Sequence, residues 1–378
     1  MTHWRNNKNA RTAEEDKSAL VLTAGMLHTL QAKTAHGLIR SSGRFNIVAV
    51  VDHTWAGKDA GLFVDGKARG IPVYATIKQA LTNLPRRPRW CVVGIATHGG
   101  ALTKELRALL LEAAGVGLSI VNGLHQYASD DPEIRAAARR SGARIVDVRR
   151  PKPKEELHFW RGEVYKLEAP RLAVLGMDCA IGKRTTASII AEGAQRRGLR
   201  AELIYTGQTG WMLGWEYGII LDSLVNDFIS GELEYALCKC ERERSPDFMV
   251  IEGQSSLRNP CGPCGSEILL SGDVHGVVLQ HTPLRSFFEG YEELKLRIPP
   301  VAEEVELIRF YGARTLCVTL NTSGIPPQEV PALCSRLTEQ LGIPVLDPLN
   351  QADLLVDIVI RYVEAERSGD RNSRRGGR

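Results

Sequence analysis

Residues 171–187 read RLAVLGMDCAIGKRTTA, an apolar run that passes through a glycine-bounded polar turn into a stretch with helical spacing. A turn between a strand and a helix directs backbone N–H groups and the positive end of the helix at one point, which is how proteins hold a phosphate. Lys183 adds a positive charge at that point. The phosphate loop, residues 176–186, is therefore predicted to bind phosphate; the alternative is an ordinary glycine turn before a helix with a surface lysine.

The spacing of this loop differs from that of the standard P-loop. Five residues separate Gly176 from Gly182, and Arg184 stands where a Ser or Thr normally holds Mg²⁺. The loop is thus expected to bind phosphate, whereas the metal-binding step is in question. The residues assigned to cofactor binding here are Gly176, Asp178, Gly182, Lys183, Arg184, Thr185 and Thr186.

Short apolar runs alternate with helical stretches on both sides of the phosphate loop. The runs include SALVLTAG (18–25), FNIVAVVD (45–52) and WCVVGIAT (90–97) before it, and AELIYTG (201–207) and FMVIEGQ (248–254) after it. Strands and helices that alternate at this spacing build a parallel sheet covered on both faces. The predicted fold class is α/β with two parallel-sheet domains, a Rossmann-like N-terminal domain followed by a P-loop NTPase-like C-terminal domain.

The chain has 378 residues, which is long enough for two domains. Within the second domain, residues 219–239 are predicted to be mostly helical. The predicted organisation is a disordered tail (1–16), a Rossmann-like domain (17–150), a Pro-rich charged linker (151–168), a P-loop-containing domain (169–366) and a disordered Arg-rich tail (367–378).

Composition excludes several classes of protein. With 43% hydrophobic and 24% charged residues, the chain is neither disordered nor collagen-like. The net charge is +4, of which residues 366–378 supply +3, so a nucleic-acid face is not implied. No apolar run reaches the roughly 18 residues of a membrane helix, and no signal-type segment is present, so the expected location is cytoplasmic. Near-neutral α/β proteins often self-associate, which makes a homo-oligomer one expectation.

Three acidic or imidazole side chains are candidates for catalysis in the second domain. Glu252 ends the strand FMVIEGQ, where an acidic residue faces a phosphate loop as a metal ligand or general base; a solvated carboxylate is the alternative. Asp222 interrupts an apolar run and is the weaker candidate for the base. His281 follows a strand, where a lone His is more often structural than catalytic. The glycines of TGQTG (206–210) let the backbone approach a ligand closely.

Two further patterns leave alternatives open. Cys238-x-Cys240 and Cys261-Gly-Pro-Cys264 could form a zinc site or a redox pair, with plain thiols as the favoured alternative, so no metal ligand is assigned. Asp52 ends a strand where a dinucleotide fold places its ribose-binding acid. No G-x-G-x-x-G accompanies Asp52, which makes nicotinamide chemistry an unfavoured reading.

Segments across nearly the whole chain, from about 18 to 350, together resemble the D-glutamate N-acetyltransferase-like family, which was long catalogued only as a domain of unknown function. The phosphate loop is in turn similar to that of dethiobiotin synthetase, in which a carboxylate from a strand ending in E-G helps to hold magnesium. The segments are KTAHGLIR (33–40), AGKDAG (56–61), GLHQYASDDPE (123–133), VDVRRP (146–151), GMDCAIGKRTT (176–186), TGQTG (206–210), DFISG (227–231) and VIEGQSSL (250–257).

The resemblance implies transfer of an acetyl group from acetyl-CoA to the amino group of D-glutamate or a related acidic amino acid. Position by position, it adds Gln208 and Gln254 to the site, the former in the catalytic centre and the latter in cofactor binding. The segment after Gln254 departs from the family pattern, because Cys261 and Cys264 stand where His, Tyr and Ser are usual, so the substrate is left open. The phosphates of CoA need a cradle but no magnesium, so Arg184 is expected to contact phosphate.

The expected mechanism is direct acyl transfer with a small-molecule amino-acid substrate. Glu252 or Asp222 removes a proton from the substrate ammonium, and backbone N–H groups from Gly207 to Gly210 stabilise the oxyanion. The alternative is an ATP- or GTP-dependent ligase or kinase that resembles dethiobiotin synthetase, with Mg-ATP at Lys183 and Glu252. A third reading is a sensor that binds a phosphorylated ligand without turnover.

Overall fold

A computed structural model describes residues 16–369, which divide into two compact units. The first unit reaches Arg149 and includes Met212–Gly214, and the second comprises the remaining described residues. Each unit is built on one sheet whose named strands all pair in parallel. The predicted α/β class with two parallel-sheet domains is therefore confirmed.

The first unit carries six strands in the order β3-β2-β1-β4-β5-β6. Four of the five α-helices that the structure describes in this unit begin at a capping side chain; Asp131, for example, accepts hydrogen bonds from the N–H groups of Glu133 and Ile134. The elements are β1 (Ser18–Leu22), α1 (Lys33–Arg40), β2 (Asn46–Val51), α2 (Ala60–Asp65), β3 (Val73–Tyr74), α3 (Ile77–Asn83), β4 (Trp90–Val93), α4 (Lys104–Gly115), β5 (Ser119–Asn122), α5 (Pro132–Ser141) and β6 (Ile145–Asp147).

The second unit carries seven strands in the order β13-β12-β11-β7-β10-β8-β9. Its elements are β7 (Arg171–Gly176), α6 (Lys183–Arg196), β8 (Ala201–Tyr205), α7 (Gln208–Leu213), β9 (Tyr217–Gly218), α8 (Asn226–Arg244), β10 (Phe248–Glu252), α9 (Ser266–Ser271), β11 (Gly276–His281), α10 (Val301–Phe310), β12 (Arg314–Leu320), α11 (Val330–Leu341), β13 (Val345–Leu346) and α12 (Ala352–Ser368).

Both faces of the second sheet are buried, which explains why its strands are mainly apolar and do not alternate between apolar and polar residues. Residues of α6 and α12 form the core on one face, and residues of α8, α9, α10 and α11 form the core on the other. Strands β10 and β11 flank β7 on its two sides. The phosphate loop, which follows β7, therefore opens at the carboxyl edge between the ends of β10 and β11.

The segment predicted as a linker, residues 151–168, packs on α8 within the second unit rather than standing free. Glu232 of α8 is buried and accepts hydrogen bonds from Lys152 Nζ (2.9 Å) and from His158 Nδ1 (2.6 Å). Burial opposes ionisation of Glu232, but its hydrogen bonds to His158 and Lys152 outweigh that effect and lower its pKa. Glu234 accepts from the N–H groups of Arg161 and Val164. The Pro-rich sequence thus forms an ordered strap on α8.

We expect Gly231→Ala to detach this strap. A Cβ at Gly231 would overlap the backbone of His158 and Phe159, which cannot move as a side chain can. The expected cost of about 1 to 3 kcal/mol corresponds to a fall in melting temperature of roughly 3 to 10 °C, measured by thermal unfolding. Gly115→Ala is the control, because a Cβ at Gly115 meets no atom within 4 Å. Equal melting temperatures for the two variants would contradict the tight packing of the strap.

Three predicted boundaries change. The helix expected over 219–239 runs instead over Asn226–Arg244, because Tyr217 and Gly218 pair with β8 as a short strand. Arg367, expected in a disordered tail, belongs to α12 and donates to Asp247 (3.0 Å). Of the two predicted tails, residues 1–15 and 370–378 lie outside the described residues. Across residues 16–369, no helix combines the length and apolar character needed to cross a membrane.

Candidate anion-binding and catalytic site

The phosphate loop wraps around the amino end of α6. Ala180 (φ 51°) and Gly182 (φ 110°) adopt left-handed backbone conformations, which turn the chain from β7 into the helix. Gly182 caps α6 without a side-chain hydrogen bond, so the N–H groups of the first helical turn receive no side-chain acceptor from the cap. The strand, turn and helix predicted from the sequence are present, and a helix start without a side-chain cap suits an anion.

Lys183 fastens the loop to a second segment of the site. Its side chain is only 6% exposed, and Nζ donates to the carbonyl oxygens of Asp178 (2.5 Å) and Ser255 (2.8 Å). Ser255 belongs to the β10 loop, residues 253–265, which follows β10. The ammonium group therefore lies between the phosphate loop and the β10 loop, where an arriving anion would meet it.

Two loop residues assigned to cofactor binding have their side chains engaged by the protein. Asp178 is fully buried and accepts from Arg285 Nη1 (2.7 Å) and from the N–H of Glu289 (2.9 Å). The Thr186 hydroxyl donates to Gln280 (2.6 Å). Asp178 and Thr186 thus hold the loop in shape, and Asp178 anchors the segment that follows β11.

Arg184 and Glu252 form the central ion pair of the site. Glu252 is 3% exposed, and its Oε1 accepts from Arg184 Nε at 3.0 Å. Its other oxygen, Oε2, is buried and lacks a hydrogen-bond partner. A buried carboxylate oxygen that accepts no hydrogen bond is unfavourable unless a ligand donates one to it or a proton binds it. Glu252 is therefore not the solvated strand-end carboxylate of the alternative reading.

The predicted glutamines lie at the same edge. The Thr206 hydroxyl donates to the Glu252 carbonyl (2.6 Å), and Gln254 Nε2 donates to the Thr206 hydroxyl (3.2 Å). Gln208 is buried at the start of α7. Of the N–H groups expected to stabilise an oxyanion, that of Gly210 is already bonded to the Gly207 carbonyl, so the structure does not support the full predicted set.

Asp222 lies in a short 3₁₀ turn, Leu221–Ser223, and not in a helix. The turn is attached to the site through the N–H of Leu221, which donates to the Thr206 carbonyl (3.0 Å). Asp222 itself is exposed, whereas Glu252 is almost fully buried beside the phosphate loop. Glu252 is accordingly the stronger of the two candidates for the general base.

Buried polar atoms without partners gather at the carboxyl edge of the second sheet. Within residues 16–369 there are five such side-chain atoms, and four of them follow or end β10 or β11; the fifth, in Thr315, lies at the opposite edge. Native proteins contain few such atoms, so their concentration marks a ligand site. Ser256 and Arg258 are not among the residues predicted from the sequence, although the stretch SSLR (255–258), shortly after Glu252, carries three polar side chains. The four atoms are Glu252 Oε2, Ser256 Oγ, Arg258 Nη2 and His281 Nδ1.

His281 should make folding pH-dependent. Burial lowers its pKa to about 4, well below that of an unfolded His, so the unfolded chain binds an extra proton between about pH 4 and 6.5. We expect the free energy of unfolding to fall by roughly 2 kcal/mol more in the native protein than in His281→Asn between pH 7.5 and 5, measured with urea at both pH values. Equal losses in the two proteins would contradict the burial of this imidazole.

The cysteines do not form a metal centre in the described part of the chain, where no group of three or more His, Cys, Asp or Glu side chains could hold a metal ion. Cys238 and Cys240 lie within α8, and residues two apart on a helix point in different directions. Burial raises the pKa of Cys238 to about 11 and that of Cys264 to about 12, which keeps both as thiols. The described residues therefore do not place these cysteines where they could bind zinc together.

Asp52 in the first unit is not available to a ribose. Its carboxylate accepts hydrogen bonds from the hydroxyls of Thr23 and Thr54 (both 2.6 Å) and from the N–H groups of Leu27 (3.0 Å) and Thr54 (2.9 Å). Burial opposes ionisation, but these bonds outweigh it and lower the pKa of Asp52. The side chain joins the loops that follow β1 and β2.

A Rossmann-like unit followed by a P-loop unit with an anion cradle is the class of protein that this fold and site define. Two family models match accordingly: a Rossmann-like domain of unknown function, DUF1611_N, over residues 53–151, and the P-loop domain DUF1611_C over residues 158–356. The chain belongs to the DUF1611 family.

Relatives and a solved structure agree with this assignment. A protein from Pseudoalteromonas sp., named D-glutamate N-acetyltransferase, is 29% identical over 265 residues, which cover 68% of this chain and 77% of the relative. A protein of the same name from Tritonibacter scottomollicae is 28% identical and covers 70% and 79%. The crystal structure of a DUF1611 family protein from Anabaena variabilis is 28% identical, with a TM-score of 0.83 over 91% of this chain and 99% of that one. The names of the two relatives support an acetyltransferase activity.

Proposed function

We propose that the protein is an N-acetyltransferase that moves the acetyl group of acetyl-CoA to the amino group of D-glutamate or a related acidic amino acid. The names of the two relatives support this proposal. The structural observation that carries it is the Arg184–Glu252 pair at the start of α6, with one buried carboxylate oxygen left unpartnered. Arg184, which with Lys183 could hold phosphate, therefore lies beside Glu252, the base that would deprotonate the substrate amine.

The phosphate loop fits the phosphates of CoA. The amino end of α6 supplies N–H donors, and Lys183 and Arg184 supply two positive charges. Arg184 occupies the place of the hydroxyl that usually holds Mg²⁺, and CoA needs no metal for binding.

The chemistry is general-base catalysis of acyl transfer. Glu252 takes a proton from the substrate ammonium, and the amine so formed attacks the thioester carbonyl. The C–N bond forms, the C–S bond breaks, and the CoA thiolate leaves and takes up the proton lost by the new amide nitrogen. The unpartnered Oε2 of Glu252 is the atom that would accept the first proton.

A second candidate function is a Mg-ATP- or Mg-GTP-dependent ligase or kinase. It is favoured by the same unpartnered oxygen of Glu252, since a carboxylate at this strand end would also suit Mg²⁺. In that case Lys183 would hold the nucleotide phosphates. The Arg at position 184 disfavours this candidate, because it removes the metal-binding hydroxyl.

Thermal unfolding with acetyl-CoA, CoA, ATP, GTP or NAD, each with and without Mg²⁺, separates the candidates. A ligand at 100 times its Kd stabilises the folded state by roughly 2.7 kcal/mol. We expect acetyl-CoA and CoA to raise the melting temperature equally in Mg²⁺ and in EDTA. A rise only with Mg-ATP or Mg-GTP would replace the acetyltransferase with the ligase or kinase.

A further inference from the structure

The two cations at the start of α6 are held differently. Lys183 is buried and bonded to two backbone carbonyl oxygens, which belong to the loops it joins. Arg184 has a side chain that is 25% exposed and contacts the carboxylate of Glu252 through Nε. Releasing Lys183 would disturb two loops, whereas Arg184 can leave Glu252 by side-chain rotation alone.

An anion in the cradle would compete with Glu252 for Arg184. Arg184 lies in the first turn of α6, where the helix attracts anions, and its planar guanidinium suits phosphate as well as carboxylate. A phosphate also carries more negative charge than the carboxylate, which favours the exchange. Within residues 16–369, Arg184 Nε donates to Glu252 Oε1, and Glu252 Oε2 accepts no hydrogen bond.

We propose that Arg184 exchanges Glu252 for the bound phosphate, so that the donor must bind before Glu252 can accept the substrate ammonium. Before the donor binds, Arg184 neutralises Glu252 and excludes a second cation. After the exchange, Glu252 is a buried carboxylate without a counter-ion. The ammonium group of the amino acid then forms the ion pair with Glu252 in place of Arg184. This inference rests on the proposed function for its two ligands, and it makes Arg184 a positioning residue for the acceptor.

The experiment is a double-mutant cycle on the binding of inorganic pyrophosphate, measured by calorimetry in EDTA. We expect Glu252→Gln to tighten binding about 5- to 20-fold, because Arg184 is no longer held by a carboxylate. In the Arg184→Ala background, the same change should alter binding less than twofold. Glu192→Gln, which neutralises an exposed carboxylate on the same helix, is the control and should have no effect.

The cycle separates the exchange from simple repulsion between Glu252 and the anion. If Glu252→Gln tightens binding equally with and without Arg184, the carboxylate acts only through its charge and the exchange is wrong. Unchanged or weaker binding in Glu252→Gln, with the fold intact by circular dichroism, also overturns it. In the native protein, we further expect D-glutamate to bind only when CoA is present; equal binding without CoA would contradict the order.

These outcomes are distinct from failure of the proposed function. The pyrophosphate cycle needs neither acetyl-CoA nor an amino acid, so it tests the exchange even if no acetyl group is transferred. Conversely, if the protein transfers the acetyl group but binds donor and acceptor independently, the proposed function is supported and the proposed exchange of Arg184 is wrong.

Discussion

Glu252→Gln is expected to lower the rate of acetyl transfer by about 10²- to 10⁴-fold, the usual contribution of a general base. The amide keeps the shape of the carboxylate but cannot take the proton of the substrate ammonium. Because the amide does not hold Arg184 as an ion pair, binding of the donor should be retained or improved. The measurement is kcat and KM for both substrates with the purified variant.

Glu192→Gln is the matched control for this prediction, since it removes an exposed carboxylate from α6. It should keep full activity. Near-native turnover in a folded Glu252→Gln variant would show that another group is the base, and Asp222 would then be the first to test.

Arg184→Ala is expected to weaken CoA binding about 10- to 100-fold, because a charge-assisted hydrogen bond to phosphate is lost. The variant also leaves Glu252 buried without its counter-ion, so its melting temperature should fall as well. Calorimetric titration with CoA measures the affinity.

The control for Arg184→Ala is Arg196→Ala, at the exposed end of the same helix, which should bind CoA normally. Unchanged CoA affinity in Arg184→Ala would mean that Arg184 serves only to neutralise Glu252. The account of why this residue replaces the metal-binding hydroxyl would then be wrong.

Local sequence was sufficient to predict the phosphate loop and the end of β10. The strand, turn and helix around Lys183 are adjacent in the chain, and parallel strands bring Glu252 to the same edge of the sheet as Gly176. The pairing of Arg184 with Glu252 was not predicted, because two residues 68 positions apart meet only through the strand order. The bond between Asp178 and Arg285 was likewise not predicted, because the two residues are 107 positions apart.

Short elements were missed for a different reason. Strand β9 has only two residues, Tyr217 and Gly218, and its pairing with β8 overrides the apolar pattern that favoured a helix from residue 219. The strap over 151–168 is polar and rich in Pro, which is typical of a linker. Its order depends on buried Glu232 and Glu234 of α8, and no local pattern reveals such partners.

The most direct test of the proposed function is product formation from acetyl-CoA and D-glutamate by the purified protein in EDTA, followed by mass spectrometry. The account predicts N-acetyl-D-glutamate and an equal amount of CoA, with no requirement for Mg²⁺ or nucleotide. L-Glutamate and both enantiomers of aspartate, run in parallel, define the substrate. If none of these amino acids is acetylated while the protein consumes ATP or GTP with Mg²⁺, the acetyltransferase proposal is contradicted.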